Sequence, residues 1–265
     1  MNKLHWGTNC IDCAEGLKLL KDESIDLTVT SPPYDNLRTY NGNIDQWNFE
    51  KFKEIAKELY RVTADGGVVV WIVADATIKG SETGTSFRQA LWFMDCGFNL
   101  HDTMIYEKAN PMPCKSKRYT PAFEYMFVFS KGQPKTFNPI MEDCKFAGKK
   151  SARTVIYADG TRKHYNKGFY KDTKVKRNVF EYNVGTSKGR GIKHPAVFPE
   201  QLANDHIISW SNEGDVVLDP FSGSGTTHKM ALLNNRKFIG FEISQEYVNI
   251  ERKRLEDCGL WRYDY

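Results

Sequence analysis

The 265-residue sequence contains no apolar run long enough to span a bilayer, and its opening "MNKLHWGTNC" lacks the apolar core of a secretory signal. A cytoplasmic protein is therefore expected. Cysteine supplies little: of the six, at 10, 13, 96, 114, 144 and 258, only Cys10 and Cys13 form a C-x-x-C, with no second pair to complete a zinc site and no oxidising context for disulfides. Free thiols and no metal are the expectation. Net charge is small, +4, so bulk electrostatics names no partner. Internal repeats and low-complexity tracts are also missing. What remains, 40% hydrophobic and 26% charged residues, suits a soluble globular chain that can bury a full core as one large α/β domain or one domain carrying an insertion.

Periodicity alternates along most of the chain. After "LHWGTNC", residues Ala14 to Leu20 have helical spacing and "IDLTVT" reads as a buried strand. In "FEKFKEIAKELYRVT", Phe49, Phe52, Ile55, Ala56, Leu59 and Tyr60 recur at three- and four-residue steps, which predicts an amphipathic helix running to Gly66-Gly67. "VVVWIVA" follows as a strand whose continuous hydrophobicity fits a parallel sheet covered on both faces. "SFRQALWFMDCG" reads as helix, "LHDTMIYEK" and "FEYMFVFS" as strands. Near the end, "PEQLANDHIISWS", "TTHKMALLNN" and "QEYVNIERKRLED" read as helices around the strands "DVVLDPF" and "KFIGFEIS". Alternation of this kind means an α/β fold.

Between Thr136 and about His194 the pattern fades and Lys and Arg accumulate, interleaved with Tyr157, Tyr165, Phe169, Tyr170, Phe180 and Tyr182. A basic stretch can be a solvated face, but basic residues mixed with aromatics over such a length fit phosphate and base contacts. Lys174, Lys176, Arg177, Lys188 and Arg190 are the candidate nucleic-acid-binding residues.

Two short stretches carry chemistry. "TSPPY", Thr30 to Tyr34, leaves a strand through two prolines that fix φ, donate no hydrogen bond and keep their carbonyls free to accept. "VVLDPFSGSGTTHKMA" runs from a strand ending in Asp219, through Gly223 and Gly225, into a helix opening at Thr226 or Thr227, which is the geometry of a nucleotide-type cofactor site. No Gly-Lys-Ser/Thr follows, so it is no P-loop, and His228 replaces the third glycine of a dinucleotide fingerprint. A carboxylate at the strand tip favours a ligand with a positive group. S-adenosyl-L-methionine, with its ammonium and sulfonium, fits. Glu242, at the tip of the next strand, is placed to accept from ribose hydroxyls.

Together "TSPPY", "DPFSGSGTT", "FIGFEIS" and "HPAVFPEQL" resemble the motif set of the amino-group DNA methyltransferases, and the order, catalytic motif first, is similar to the β class. The resemblance covers about Asn9 to Leu255. It implies a Rossmann-like S-adenosylmethionine-dependent methyltransferase fold with circularly permuted motif order. The catalytic part would be residues 1–135, an inserted basic target recognition region 136–193, and the cofactor-binding part 194–265. The strands ending at Thr30 and Asp219 would then be neighbours. Ser31, Pro32, Pro33 and Tyr34 match the catalytic tetrapeptide. Asp219, Phe221, Gly223, Gly225, Thr226 and Thr227 match the loop on the methionine side, and Glu242 matches the ribose carboxylate. Asp12 matches an acidic position near the cofactor adenine, and His194, Pro195, Phe198 and Pro199 match the motif before the cofactor strand. The implied substrate is a base flipped out of double-stranded DNA. Serine at the first tetrapeptide position resembles the cytosine-N4 branch, with adenine N6 as the alternative; RNA or protein methylation, or a non-catalytic nucleic-acid-binding role on the same fold, are remoter readings. A prokaryotic or phage source, a homodimer and a cognate restriction endonuclease are further expectations of this resemblance.

Overall fold

The computed structural model describes residues 4–33, 47–114, 117–184 and 199–260. In chain order its elements are β1 (Gly7–Cys10), α1 (Cys13–Lys18), β2 (Ile25–Thr30), α2 (Phe49–Val62), β3 (Thr63–Val73), β4 (Thr77–Ile78), β5 (Ser81–Glu82), α3 (Thr85–Asp95), β6 (Asn99–Lys108) and β7 (Phe123–Ser130). They continue as β8 (Met141–Asp143), β9 (Lys150–Ile156), β10 (Arg162–Phe169), β11 (Thr173–Val175), β12 (Val179–Tyr182), α4 (Glu200–Trp210), β13 (Val216–Asp219), α5 (Thr226–Leu233), β14 (Lys237–Glu242) and α6 (Gln245–Asp257). The chain divides into two compact units, Met1–Asn138 with Asn178–Tyr265, and Pro139–Arg177.

The first unit is built on an eight-stranded sheet of order β1-β14-β13-β2-β3-β7-β6-β12. Its first five strands are parallel, and β2 lies between β13 and β3 with Leu27 opposite Val217 and Thr28 opposite Leu218. Side-chain alternation splits the core between the two faces. On one, Phe52, Ile55, Ala56 and Leu59 of α2 pack with Val69, Trp71 and Val73 of β3, Phe93 of α3 and Phe241 of β14. α4 reaches β2, and α5 and α6 reach β13, β14 and β1, on the other. Strand β3 is buried from Val68 to Val73 because helices cover both sides, which accounts for its unbroken hydrophobicity.

The structure departs from the sequence reading in two places. α2 stops at Val62, not at the glycines: Thr63 takes an extended conformation, its hydroxyl donates to Leu59 O at 2.6 Å, and β3 begins there. Gly66, at φ +72°, and Gly67 sit inside β3 where its pairing with β2 shifts register, so they make an irregularity within a strand and not a helix stop. The sheet is also mixed, because β7 runs antiparallel to both β3 and β6. A parallel neighbour needs a crossover, usually helical, whereas the described residues of the β6–β7 link contain no helix.

The second unit consists of two antiparallel pairs, β8 with β11 and β9 with β10. It lies inside the basic segment expected at 136–193, while β12, from the same segment, pairs in parallel with β6 of the main sheet. Among the described residues no helix is long and apolar enough to cross a membrane.

Candidate functional site

The carboxyl ends of β2, β13 and β14 bring Thr30, Asp219 and Glu242 to one edge of the sheet, although Thr30 and Asp219 are 189 residues apart. The Thr30 hydroxyl donates to Asp219 Oδ1 at 2.6 Å, and the Phe221 N–H donates to the same oxygen at 3.0 Å. Asp219 is 1% exposed, and burial pushes its carboxyl up to about 6 against the donors that favour the charged form. Sequence reasoning placed this carboxylate toward a ligand. Its Oδ1 ties the loop after β13 to the end of β2.

Directly past Thr30, Ser31 and Pro33 are half-buried and Pro32 is buried. Tyr34, His194, Phe198, Lys188 and Arg190, all expected site residues, lie outside the described residues.

The loop from Pro220 to Gly225 is shaped by two glycines with positive φ, Gly223 at +53° and Gly225 at +74°. Gly223 N–H donates to Glu242 Oε2 at 2.9 Å and Ser244 N–H donates to Oε1 at 2.8 Å. Each carboxylate oxygen of Glu242 thus keeps acceptor capacity for a further donor, as two neighbouring hydroxyls would require. Burial raises the Glu242 carboxyl, backbone N–H groups pull it down, and the nearby Glu251 and Asp219 charges raise it further. Three carboxylates around one loop favour a cationic ligand over a pyrophosphate, so the donor set fits S-adenosyl-L-methionine. Phe221 is half-buried and packs edge-on against Trp47 and Trp71, with ring centroids 5.3 and 6.1 Å away.

The two threonines that open α5 face inward: Thr226 Oγ1 accepts from Arg254 at 3.0 Å, and Thr227 Oγ1 donates to Val29 O at 3.2 Å. Asp12 caps α1 by accepting from Ala14 N–H at 2.9 Å and pairs with Lys51 at 3.0 Å. It follows β1, whose last residue Cys10 lies opposite Glu242, so Asp12 stands on the same edge of the sheet. Burial pushes the Cys13 thiol up to about 12, which makes it a poor nucleophile. Among the described residues no three His, Cys, Asp or Glu side chains gather as a metal site. In the second unit Lys174 pairs with Glu142 at 3.0 Å on the surface; Lys176 is half-buried and Arg177 exposed.

Sequence reasoning missed a buried polar layer beneath this loop. Glu251 of α6 hydrogen-bonds to His228 Nδ1, accepts from Thr8 Oγ1 at 2.6 Å, and leaves no room for a side chain at Gly225, where a Cβ would lie 2.3 Å from its Cγ. His228 stacks on Phe238 with centroids 4.1 Å apart. Arg254 donates to Ser224 O at 2.9 Å and, at 2.5 Å, to Glu200, which also pairs with Lys229. The available signal was His228 in a position where glycine is usual; Glu251 and Arg254 looked like the charged face of a surface helix.

With this geometry, residues 25–253 match the family model described as DNA methylase, of N6/N4 amino-methyltransferases. The chain belongs to that family. It is 55% identical over 245 residues to the orphan methyltransferase M.BamHII of Bacillus amyloliquefaciens, covering 89% of this chain and 90% of the other. It is 28% identical to the DNA adenine methyltransferase YhdJ of Escherichia coli K12, over 92% of this chain and 81% of that one. Among solved structures, the PvuII DNA methyltransferase, named as cytosine-N4-specific, superposes with a TM-score of 0.69 at 24% identity, covering 92% of this chain and 84% of the other. Structural neighbours of the same fold include complexes with S-adenosyl-L-methionine. The chain is an S-adenosylmethionine-dependent DNA methyltransferase of the N4/N6 family with the Rossmann-like fold expected from its motifs.

Proposed function

We propose that this methyltransferase modifies the exocyclic N4 of cytosine in double-stranded DNA, acting on a base flipped out of the helix. What supports cytosine is serine, Ser31, at the first position of the tetrapeptide, and the parallel pairing of β2 with β13 and the Thr30–Asp219 bond bring the end of β2 to the glycine loop. S-adenosyl-L-methionine would supply a sulfonium-bound methyl group: as the amino nitrogen attacks in line, the N–C bond forms, the C–S bond breaks to leave the neutral thioether S-adenosyl-L-homocysteine, and one nitrogen proton passes to solvent.

The protein's task is to make that nitrogen a better nucleophile. Its lone pair is delocalised into the ring, and acceptance of its two N–H bonds by Ser31 Oγ and the Pro32 carbonyl favours a pyramidal nitrogen with the pair freed. Two prolines hold the carbonyl in place, and Tyr34 stacks on the extrahelical base, worth about 1–3 kcal/mol on the scale of base–aromatic stacks. Glu242 would hold the ribose of the donor, and the loop shaped by Gly223 and Gly225 would receive its methionine part. Asp219 acts as a positioning residue. Catalysis by such a site is positioning and electrostatics, with no covalent enzyme intermediate.

Mass spectrometry of nucleosides from DNA methylated by the purified protein tests the target: N4-methylcytosine is expected. N6-methyladenine in its place would establish the alternative that the adenine-methylating Escherichia coli relative favours. Ser31→Ala tests the mechanism, with methyl transfer in single turnovers on saturating DNA falling about 10²–10³-fold, the scale for one preorganised contact, and donor affinity held. Full activity of that variant would sink the assignment of Ser31.

A further inference from the structure

The second unit carries a two-stranded ribbon of unusual exposure. β9 and β10 pair antiparallel with Thr154 opposite His164 and Ala152 opposite Asn166, and they are joined by a turn through Asp159 and Gly160. Every described side chain of the ribbon is exposed except Ser151 and Val155, which are half-buried. An isolated two-stranded hairpin is marginally stable in water, and this one displays cationic and polar side chains together with exposed Ile156 and Phe169. Residues 150–169 hold five Lys or Arg against a single carboxylate, Asp159, which is occupied at the turn by the Thr161 N–H and hydroxyl.

The two faces differ. One carries Ser151, Arg153, Val155, Tyr157, Lys163 and Tyr165, and it is largely satisfied internally: the Tyr157 and Tyr165 hydroxyls bond at 3.0 Å and Lys163 sits 5.8 Å over the Tyr165 ring. The two half-buried residues lie on this side. The other face carries Ala152, Thr154, Ile156, Arg162, His164 and Asn166, all exposed, with the Asn166 Oδ1 accepting from the Gly168 N–H at 3.4 Å. Thr154 Oγ1 bonds to His164 Nδ1 at 2.8 Å, and the Arg162 guanidinium has no hydrogen-bond or ion-pair partner among the described residues.

We propose that the β9–β10 ribbon enters the major groove of the DNA substrate with the Arg162–His164–Asn166 face toward the base edges, and that these side chains determine site specificity. This rests on the reading of the protein as a methyltransferase of duplex DNA. The major groove, about 12 Å wide, admits a two-stranded ribbon and distinguishes all four base pairs, whereas the minor groove separates little more than A·T from G·C. Arginine is suited to the paired acceptors of guanine, and asparagine to the acceptor and donor of adenine. The cations of the opposite face, Arg153 and Lys163, lie outward from the floor of the groove, where they meet phosphates.

The test uses the full-length protein and three variants, Arg162→Ala, Asn166→Ala and Lys163→Ala. A pool of randomised duplexes is methylated and sequenced to find the preferred site, and kcat/KM is then measured on that site and on its single-base-pair variants. Either of the first two substitutions should lower discrimination at one base pair by about 5- to 150-fold, the equivalent of 1–3 kcal/mol for a bidentate contact. Donor affinity should be unchanged and, with all three substituted side chains exposed, the circular dichroism spectrum and thermal unfolding should match those of the wild-type protein. Lys163→Ala should weaken DNA binding evenly across sequences. Wild-type discrimination at every base pair in both Arg162→Ala and Asn166→Ala would overturn the ribbon assignment while leaving the methyltransferase reading intact. A wild-type protein that methylates no duplex in the pool would overturn both.

Discussion

Replacing Thr30 by valine removes one hydroxyl from the junction of the two strands that build the site, and its cost can be worked from the structure. Thr30 is 0% exposed, Asp219 is 1% exposed, and the hydroxyl donates to the carboxylate at 2.6 Å. A hydrogen bond to a charged group contributes about 1.5–3 kcal/mol, and valine would set a methyl against a buried carboxylate that has lost a donor. The loss should depend on pH. Burial raises the Asp219 carboxyl to about 6 in the folded protein, above its unfolded value, so taken alone this group favours folding at low pH and loses that advantage as pH rises through about 6. The Thr30 bond acts in the opposite direction by favouring the ionised form, so Asp219 in Thr30→Val titrates above 6. The difference between the two proteins is then complete above the variant's pKa and shrinks as pH falls through about 6, toward the roughly 0.5–1.5 kcal/mol of a neutral hydrogen bond. Urea unfolding at pH 7.5 and pH 5.0, with m-values compared to confirm the same transition, reads this directly. A loss below about 0.5 kcal/mol at pH 7.5, or an equal loss at both pH values, would refute the reasoning, because a buried charge-assisted bond predicts neither.

Three further outcomes test the rest of the site. Glu242→Ala should weaken S-adenosyl-L-methionine binding by about 1.5–3 kcal/mol in calorimetry, and an unchanged affinity would remove Glu242 from the donor site. Gly225→Ala should destabilise the protein by roughly 2–4 kcal/mol, the combined cost of a left-handed alanine and an overpacked neighbour. The new Cβ would lie 2.3 Å from Glu251 Cγ at φ +74°, so a variant of wild-type stability would mean that α6 yields more easily than its buried polar bonds imply. Neutralising Lys174, Lys176 and Arg177 together should flatten the dependence of log affinity on log salt by about 0.9 for each phosphate that is no longer neutralised; an unaltered slope would place the DNA grip elsewhere.

The parts of this molecule legible in the sequence are those where one residue type has one physical use. Continuous apolar runs marked β2, β3 and β14 because only a covered sheet hides such strands, and Gly223 and Gly225 marked a turn that other residues rarely adopt. Less legible were features that depend on a neighbour remote in the chain. The direction of β7 follows from a link without a crossover helix, which periodicity does not report. Asp219 shows its charge in the sequence but not its bond to Thr30, 189 residues away. The ribbon of β9 and β10 had no apolar alternation to announce it, since neither of its faces packs against a core.

The buried layer under the glycine loop bears on how such a site retains its shape. A loop that must approach a ligand with its backbone needs glycines, and glycines leave the loop conformationally free unless something else restricts it. Here the restriction comes from beneath: Glu251 fills the space beside Gly225 and bonds to His228, while Arg254 holds the Ser224 carbonyl and the Thr226 hydroxyl. From the side, Glu242 holds the Gly223 N–H, and Asp219 holds the Phe221 N–H together with the end of β2. Each of these bonds fixes a different residue of the same turn, so removing any one should loosen the loop without unfolding the sheet. The residue that replaces glycine at position 228 is then no defect in a nucleotide-binding fingerprint. Histidine there provides the ring that stacks on Phe238 and the nitrogen that bonds to Glu251, and through Glu251 it helps to set the glycine loop proposed to receive the methyl donor.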